Sequence, residues 1–347
     1  MRNPFVLTRQ PAISRLYLWA FNPDGVDILS KLRRFIGKKL YLGMAKINRI
    51  FADGEFRFAK EGKDIPIRFR GANTQYVSLN PSVFKYGYEI ETAMTIEALA
   101  ESTTVFYDIG SNWGYFSLYL ASKPGYSGKI FAFEPVGSTY ADLVSIIGQA
   151  QETERITPLR IALSDYDGDA HMEFPDGVHS GLALLTKQMS ARTVATAAKK
   201  IDSLRIAPPS LIKMDVEGAE LEVMKGGIET IKKFCPSIIF ENCLNSPQRT
   251  YSIIGLLTRL GYLLFIPSLE FKTNGYTYRL SYGANYATEI DQNSDFRYSL
   301  VPLSIENRFL MQPLLNILAV HSRHRDKIST YVVSDKLTIQ NNARKKQ

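Results

Sequence analysis

Val105-Phe106-Tyr107-Asp108-Ile109-Gly110-Ser111-Asn112-Trp113-Gly114 is the stretch on which the fold turns. Its first half is an apolar run of strand length that stops at an acidic residue and a glycine. Gly110 and Gly114 allow a sharp turn and a close approach to a ligand, because glycine takes dihedrals that side chains disfavour. Apolar residues resume from Tyr115 to Ser122 with helical spacing. A strand, a glycine turn and a helix in that order make half of a βαβ unit.

Downstream the alternation continues. Lys129–Glu134 reads as a second buried strand, stopped by Pro135, and Thr139–Gln149 as a helix. Ile156–Leu163, Ser210–Val216 and Pro236–Glu241 read as strands. Ala219–Lys233 and Tyr251–Leu260 read as helices, the latter stopped by Gly261, with a further strand at Leu263–Ile266. Such alternation predicts an α/β fold with a doubly wound, mostly parallel sheet, running from about Glu89 to His321. Upstream lies a mixed extension. Ile28–Ile50 has helical apolar spacing with Arg33, Arg34, Lys38 and Lys39 on the remaining face, and Phe56–Phe69 alternates like a strand pair. The expected division is a basic extension at 1–87, a core domain at 88–321 and a basic, flexible tail at 322–347.

The 347 residues carry a net charge of +8, unevenly spread. Residues 1–75 hold 15 Lys/Arg against 6 Asp/Glu, residues 321–347 hold 7 against 2, and the middle holds 20 against 26. Basic ends suit peripheral contact with an anionic surface, or simple solubility. No aromatic–basic interleaving of a nucleic-acid channel is present, so no nucleic-acid partner is expected. No apolar stretch has the length of a membrane span, and the first residues show no continuous apolar run of a secretory leader. Cys235 and Cys243 have no metal-binding spacing and read as reduced, buried thiols of a cytoplasmic protein. Oligomeric state is not legible.

In open α/β sheets, ligands bind at the carboxyl ends of the strands, near the switch in strand order. That rule selects Asp108, Glu134, Leu163–Asp165, Asp215 and Glu241. Glu134 stands 20 residues beyond Gly114, where an acidic residue accepts hydrogen bonds from both ribose hydroxyls of an adenosine cofactor. The glycines are spaced G-x-x-x-G rather than GxGxxG, and Asp108 would repel a pyrophosphate. It would instead suit a cationic group, which favours S-adenosylmethionine over a dinucleotide. Lys213, Asp215 and Glu217 alternate at a strand end and so share one face, with Gly218 opening the next helix.

Together, Asp108-x-Gly-x-Asn-x-Gly114, Phe133-Glu134-Pro135, Ala162-Leu163-Ser164, Ile212 to Glu220 and Phe240-Glu241 resemble the FkbM family of methyltransferases. Tyr88-Glu89 and Asn316–Val320 resemble the borders of that family, so the likeness spans Tyr88 to Val320. Ser111 stands where the family usually has Ala, and Trp113 where an aliphatic residue is common. The resemblance implies a class I Rossmann-like methyltransferase fold and O-methylation of a hydroxyl on a sugar, glycan or secondary metabolite. It places Glu89, Asp108, Gly110, Ser111, Asn112, Gly114, Tyr115, Glu134, Pro135, Ser164 and Asp165 around the cofactor.

Methyl transfer to an unactivated hydroxyl needs a base or a metal. Asp215 is the first choice for either role, Glu217 the second. Lys213 is expected to orient a carboxylate or steady the developing alkoxide, and His179 to act as an acid/base from the loop Pro175–Gly181. Glu241 is a supporting carboxylate or metal ligand. A metal-free site is favoured over one holding Mg²⁺, since no histidine cluster accompanies the carboxylates. The extension carries no cofactor motif and is expected to dock the acceptor. Two alternatives remain open: a nicotinamide-dependent oxidoreductase on a similar fold, and a non-catalytic binding protein.

Overall fold

The structure is a computed structural model and describes residues 2–11, 35–37, 39–40, 53–70, 73–81, 83–84, 87–174, 183–190, 193–242, 247–273, 276–280, 296–303 and 315–333. His179, Cys243, Arg33, Arg34, Lys38 and the tail beyond 333 lie outside these, as does most of the expected helix at Ile28–Ile50.

Strands β1 (Phe5–Arg9), β2 (Gly54–Lys60) and β3 (Lys63–Phe69) form an antiparallel sheet. The alternation at Phe56–Phe69 is its hairpin: Phe56, Phe58, Ile67 and Phe69 are buried, while Arg57 and Arg68 face out. Helix α1 (Ile90–Leu99) leads into the expected alternation. This comprises β4 (Phe106–Ile109), α2 (Tyr115–Ala121), β5 (Ile130–Phe133), α3 (Gly137–Gln149) and β6 (Ile156–Leu159). The chain then builds a second small sheet from β7 (Ala162–Leu163), β8 (Gly168–Glu173), β9 (Leu184–Thr186) and β10 (Thr193–Lys199), in the order β7-β10-β8-β9. It returns through β11 (Leu211–Met214), α4 (Glu220–Gly226), α5 (Ile228–Phe234), β12 (Ser237–Glu241) and α6 (Pro247–Arg259). Strands β13 (Tyr262–Thr273), β14 (Tyr276–Leu280), β15 (Arg297–Leu303) and β16 (Asn316–His321) complete it.

The large sheet runs β14-β13-β16-β12-β11-β4-β5-β6, with β15 also beside β13. Its five strands from β12 to β6 are parallel, and β16 is antiparallel to both β12 and β13. The chain moves outward one way from β4 through β5 to β6, and the other way from β11 to β12. The switch in strand order therefore lies between β4 and β11. Residues of β4, β5 and β11 are buried throughout, because apolar layers cover both faces. Each fully buried Ile or Phe there contributes roughly 1.5–3 kcal/mol.

Three elements depart from the sequence reading. Ile156–Leu163 is two strands in two sheets, divided at Arg160-Ile161. Ala219–Lys233 is two helices broken at Gly227. A Cβ on Gly226 would meet the Ser164 carbonyl at 1.9 Å, and one on Gly227 would meet Ile201 at 2.9 Å. These glycines let the helix pair press against the strand-to-turn segments beside it. The expected flexible tail begins as packed structure. Ile328 is buried, and the amides of Leu300 and Val333 bond to the Tyr331 and Leu300 carbonyls at 2.8 and 3.1 Å. Among the described residues, no helix is long and apolar enough to cross a membrane.

Candidate functional site

A cavity of about 230 Å³ opens at the carboxyl ends of β4, β5 and β11, at the switch point. Its floor is the loop after β4. Gly110 has φ +76°, and a Cβ there would lie 1.9 Å from the Asp215 carbonyl, so only glycine fits between the two strand ends. The amides of Gly110 and Ser111 both bond to the Phe133 carbonyl at 3.0 Å, tying the loop to β5. Asn112, at φ +52°, accepts the Trp113 amide on its own side chain at 2.8 Å. Gly114 caps α2 at φ +94°, packed over Leu143.

Glu134 ends β5 and lines the cavity, buried. Its Oε2 accepts the Asn112 amide at 3.0 Å and its Oε1 the Val136 amide at 2.8 Å. Each oxygen keeps a lone pair free, so the carboxylate is fixed in orientation and still able to accept from a ligand. Burial pushes its pKa up to about 7, against the pull of the two amides.

Across the switch point, Lys213 pairs in register with Asp108 of β4. Lys213 is buried, donates to Asp215 Oδ2 at 3.2 Å, and lies 5.0 Å from the Phe116 ring centre. Burial works against its charge, but Asp215, Asp108 and Glu89 outweigh it and hold the ammonium protonated well above its usual range. Lys213, Asp215 and Glu217 all line the cavity, as their alternation predicts. Glu217 is exposed at the rim with φ +52°; partial desolvation, then the charges of Asp215 and Glu220, raise its pKa. Glu220 folds back to accept the amides of Val216 and Gly218 at 3.2 Å each, which shapes the turn carrying Glu217.

Asp108 is fully buried and is not part of the cavity lining. Ser117 donates to its Oδ2 at 2.6 Å, and its Oδ1 has no hydrogen-bond partner among the described residues. Burial raises its pKa, opposed by Lys213 and Ser117. Glu89, in left-handed conformation at the start of α1, accepts from Asn316 at 3.0 Å beside Lys213, behind the wall rather than on it. Asn316 stands opposite Glu241 in the β12–β16 pair. Burial, then Asp215 and Glu89, push Glu241 up to about 8.

Ser111, Asn112, Tyr115 and Pro135 line the cavity, as expected, whereas Ser164 and Asp165 do not. Ser164 is buried beneath Gly226, and Asp165 faces solvent. Several lining groups have no sequence signal. Met172, Ala183 and Leu185 come from the second sheet and its approach, and make one side apolar. Gln75 and Ser78 come from the N-terminal extension, on a 3₁₀ turn at Thr74–Leu79. Among the described residues, no group of three or more His, Cys, Asp or Glu is placed to hold a metal ion.

The parallel sheet, the glycine turn and the strand-end carboxylates define a doubly wound, Rossmann-like domain with its cavity at the switch point. Residues 106–264 match the model of the methyltransferase FkbM domain. Hexuronic acid methyltransferase AglP of Haloferax volcanii is 33% identical over 129 residues, covering 37% of this chain and 51% of the relative. The chain thus spans about half the length of the curated relative it matches. Among solved structures, an FkbM methyltransferase from Methylobacillus flagellatus aligns with a TM-score of 0.39 and 16% identity, over 56% of this chain and 48% of that one. An S-adenosylmethionine-dependent O-methyltransferase from Thermotoga maritima aligns with a TM-score of 0.36 and 12% identity, over 76% and 77%.

Proposed function

We propose that the protein is an S-adenosylmethionine-dependent methyltransferase that methylates a hydroxyl of a small-molecule or glycan acceptor. The observation that carries this is Glu134: a buried strand-end carboxylate, held by one backbone amide per oxygen, with its free lone pairs beside the Gly110–Gly114 turn. That is the geometry for two ribose hydroxyls. The FkbM domain match and the sugar-acid substrate in the name of the Haloferax relative support the same reading. A cytoplasmic setting accords with cysteines read as reduced.

When bound, S-adenosylmethionine supplies an electrophilic methyl carbon on a sulfonium sulfur. Glu134 accepts from the ribose, and the Gly110 turn admits the backbone close to the ligand. Met172, Ala183 and Leu185 offer an apolar face for the adenine ring. Asp215 would take the proton of the acceptor hydroxyl as that oxygen becomes the nucleophile for the methyl group the cofactor would supply. Lys213 fixes the Asp215 carboxylate in place. Asp108 and Glu89 act from behind the wall by holding Lys213 charged. Glu217 at the rim is the alternative proton acceptor. No metal is needed for these roles.

Adding S-adenosylhomocysteine, NAD or NADP to the purified protein and following the melting temperature tests the cofactor. Stabilisation by the first alone is expected, and stabilisation by a nicotinamide dinucleotide alone would overturn the reading. A screen of radiolabelled methyl transfer to neutral, amino and uronic sugars then identifies the acceptor.

A further inference from the structure

The N-terminal extension, expected from sequence to serve only the acceptor, reaches the cavity at Gln75. We infer that Gln75 is a cofactor-binding residue: its side-chain amide donates to the carboxylate at the amino-acid end of S-adenosylmethionine. The inference rests on the cofactor reading above and adds a contact from outside the FkbM domain match.

Three observations support it. First, the backbone at Gln75 is built to stay in place. Asn73 accepts the Gln75 amide at 3.0 Å and donates to the buried Asp142 of α3 at 3.0 Å, and Arg70 pairs with Asp142 at 3.2 Å. The next residue, Tyr76, stacks on Phe69 with ring centres 4.0 Å apart and lies 5.1 Å from Trp113 of the floor loop. The turn is therefore anchored both to α3 and to the loop after β4.

Second, the Gln75 side chain is half-buried, lines the cavity, and has no hydrogen-bond partner among the described residues. Three other polar groups of the lining are already engaged. Ser78 donates to the Gln75 carbonyl at 2.7 Å and Ser111 to the Phe133 carbonyl at 3.3 Å. Tyr88 bonds to Glu89.

Third, the charges in the lining leave a carboxylate without an ionic partner. Glu134, Asp215 and Glu217 line the cavity, and the cation among them, Lys213, is already engaged by Asp215. The ammonium and sulfonium of the cofactor suit such a wall, but its carboxylate must be met by neutral donors. The uncommitted amide of Gln75 is such a donor, and the side-chain nitrogen of Asn112, whose oxygen holds the Trp113 amide, is a second.

The test uses two ligands on the full chain. S-adenosylhomocysteine carries the amino-acid end, while 5′-methylthioadenosine keeps the ribose and adenine without it. Calorimetry on Gln75→Leu is expected to show S-adenosylhomocysteine weakened roughly 10–100-fold, the range for one hydrogen bond to a charged group, with methylthioadenosine unchanged. Gln75→Glu, of equal size, is expected to lose more for the first ligand and nothing for the second. Both variants should melt like wild type without ligand. An equal loss for both ligands would make Gln75 structural, and no loss for either would remove it from the site. Wild type that binds neither ligand overturns the cofactor reading itself, and this contact with it.

Discussion

At Glu134, the burial that fixes the carboxylate also lifts its pKa to about 7, so proton and ligand compete for the same oxygens. The unfolded value is about 4.3. The raised folded value gives the free protein stability that is complete below about 4.3 and lost as pH rises through about 7. The proposed ribose contact has the opposite sign, because hydroxyl donors need the ionised acceptor. The affinity for S-adenosylhomocysteine should therefore fall below pH 7, approaching about tenfold per pH unit. Calorimetry between pH 6 and 8 checks this; Glu134→Gln should bind weakly with no such slope, and a steep slope in that variant would assign the titration elsewhere. Asp215 makes a separate prediction. Asp215→Asn keeps the shape beside Lys213 and removes the charge of the proposed base. Turnover is expected to drop roughly 10²–10⁴-fold with cofactor affinity retained. Wild-type turnover of the variant on an identified acceptor would move the proton to Glu217.

The elements that carry the site were legible in proportion to how far burial dictates their composition. Strands β4, β5, β11 and β12 are buried on both faces, so they appear as short apolar runs ending in charge, and Glu134, Lys213 and Asp215 could be placed from them. The second sheet was not legible. Gly168–Glu173 and Thr193–Lys199 are partly exposed, Ala- and Thr-containing strands whose pattern lacks an apolar face. The break at Gly227 was also missed, because apolar spacing continues through it while the cause, contact with Ile201, lies far away in sequence. Gln75 sits on a turn whose position depends on Asp142 and Trp113, contacts that no local pattern encodes. At the loop after β4, the glycine signal was explicit and has a measurable cost. Gly110→Ala sets a side chain in left-handed conformation, worth roughly 1–3 kcal/mol of strain, and drives it into the Asp215 carbonyl. Urea unfolding should show a loss larger than that strain alone, and a loss under about 1 kcal/mol would mean the strand ends part easily.

At the scale of the molecule, the N-terminal sheet is fastened to the core away from the cavity as well as beside it. Lys60 of β2 bonds to Glu152, which is fully buried and also accepts from Arg155 at 3.0 Å. Removing one partner of a buried pair costs about 3–5 kcal/mol, and Arg155 keeps the remainder partly satisfied. Lys60→Met should accordingly lower stability by about 3 kcal/mol in urea unfolding, with earlier proteolytic release of the N-terminal segment. Stability within about 0.5 kcal/mol of wild type would show that the pair does no more than an exposed one. The position of β16 bears on a different matter, the order in which a ribosome delivers the parts. This strand lies between β12 and β13 yet leaves the ribosome after both, and its Asn316 bonds to Glu89, 227 residues earlier. While the chain is being made, β12 is a bare edge, and β13, though β14 and β15 can already pair with it, has nothing to join it to the parallel strands. The polar wall behind Lys213 closes only when residue 316 arrives, so a nascent chain halted before that point has its floor loop but not its finished charge cluster. A premature stop before β16 leaves a sheet open for pairing with the wrong strand.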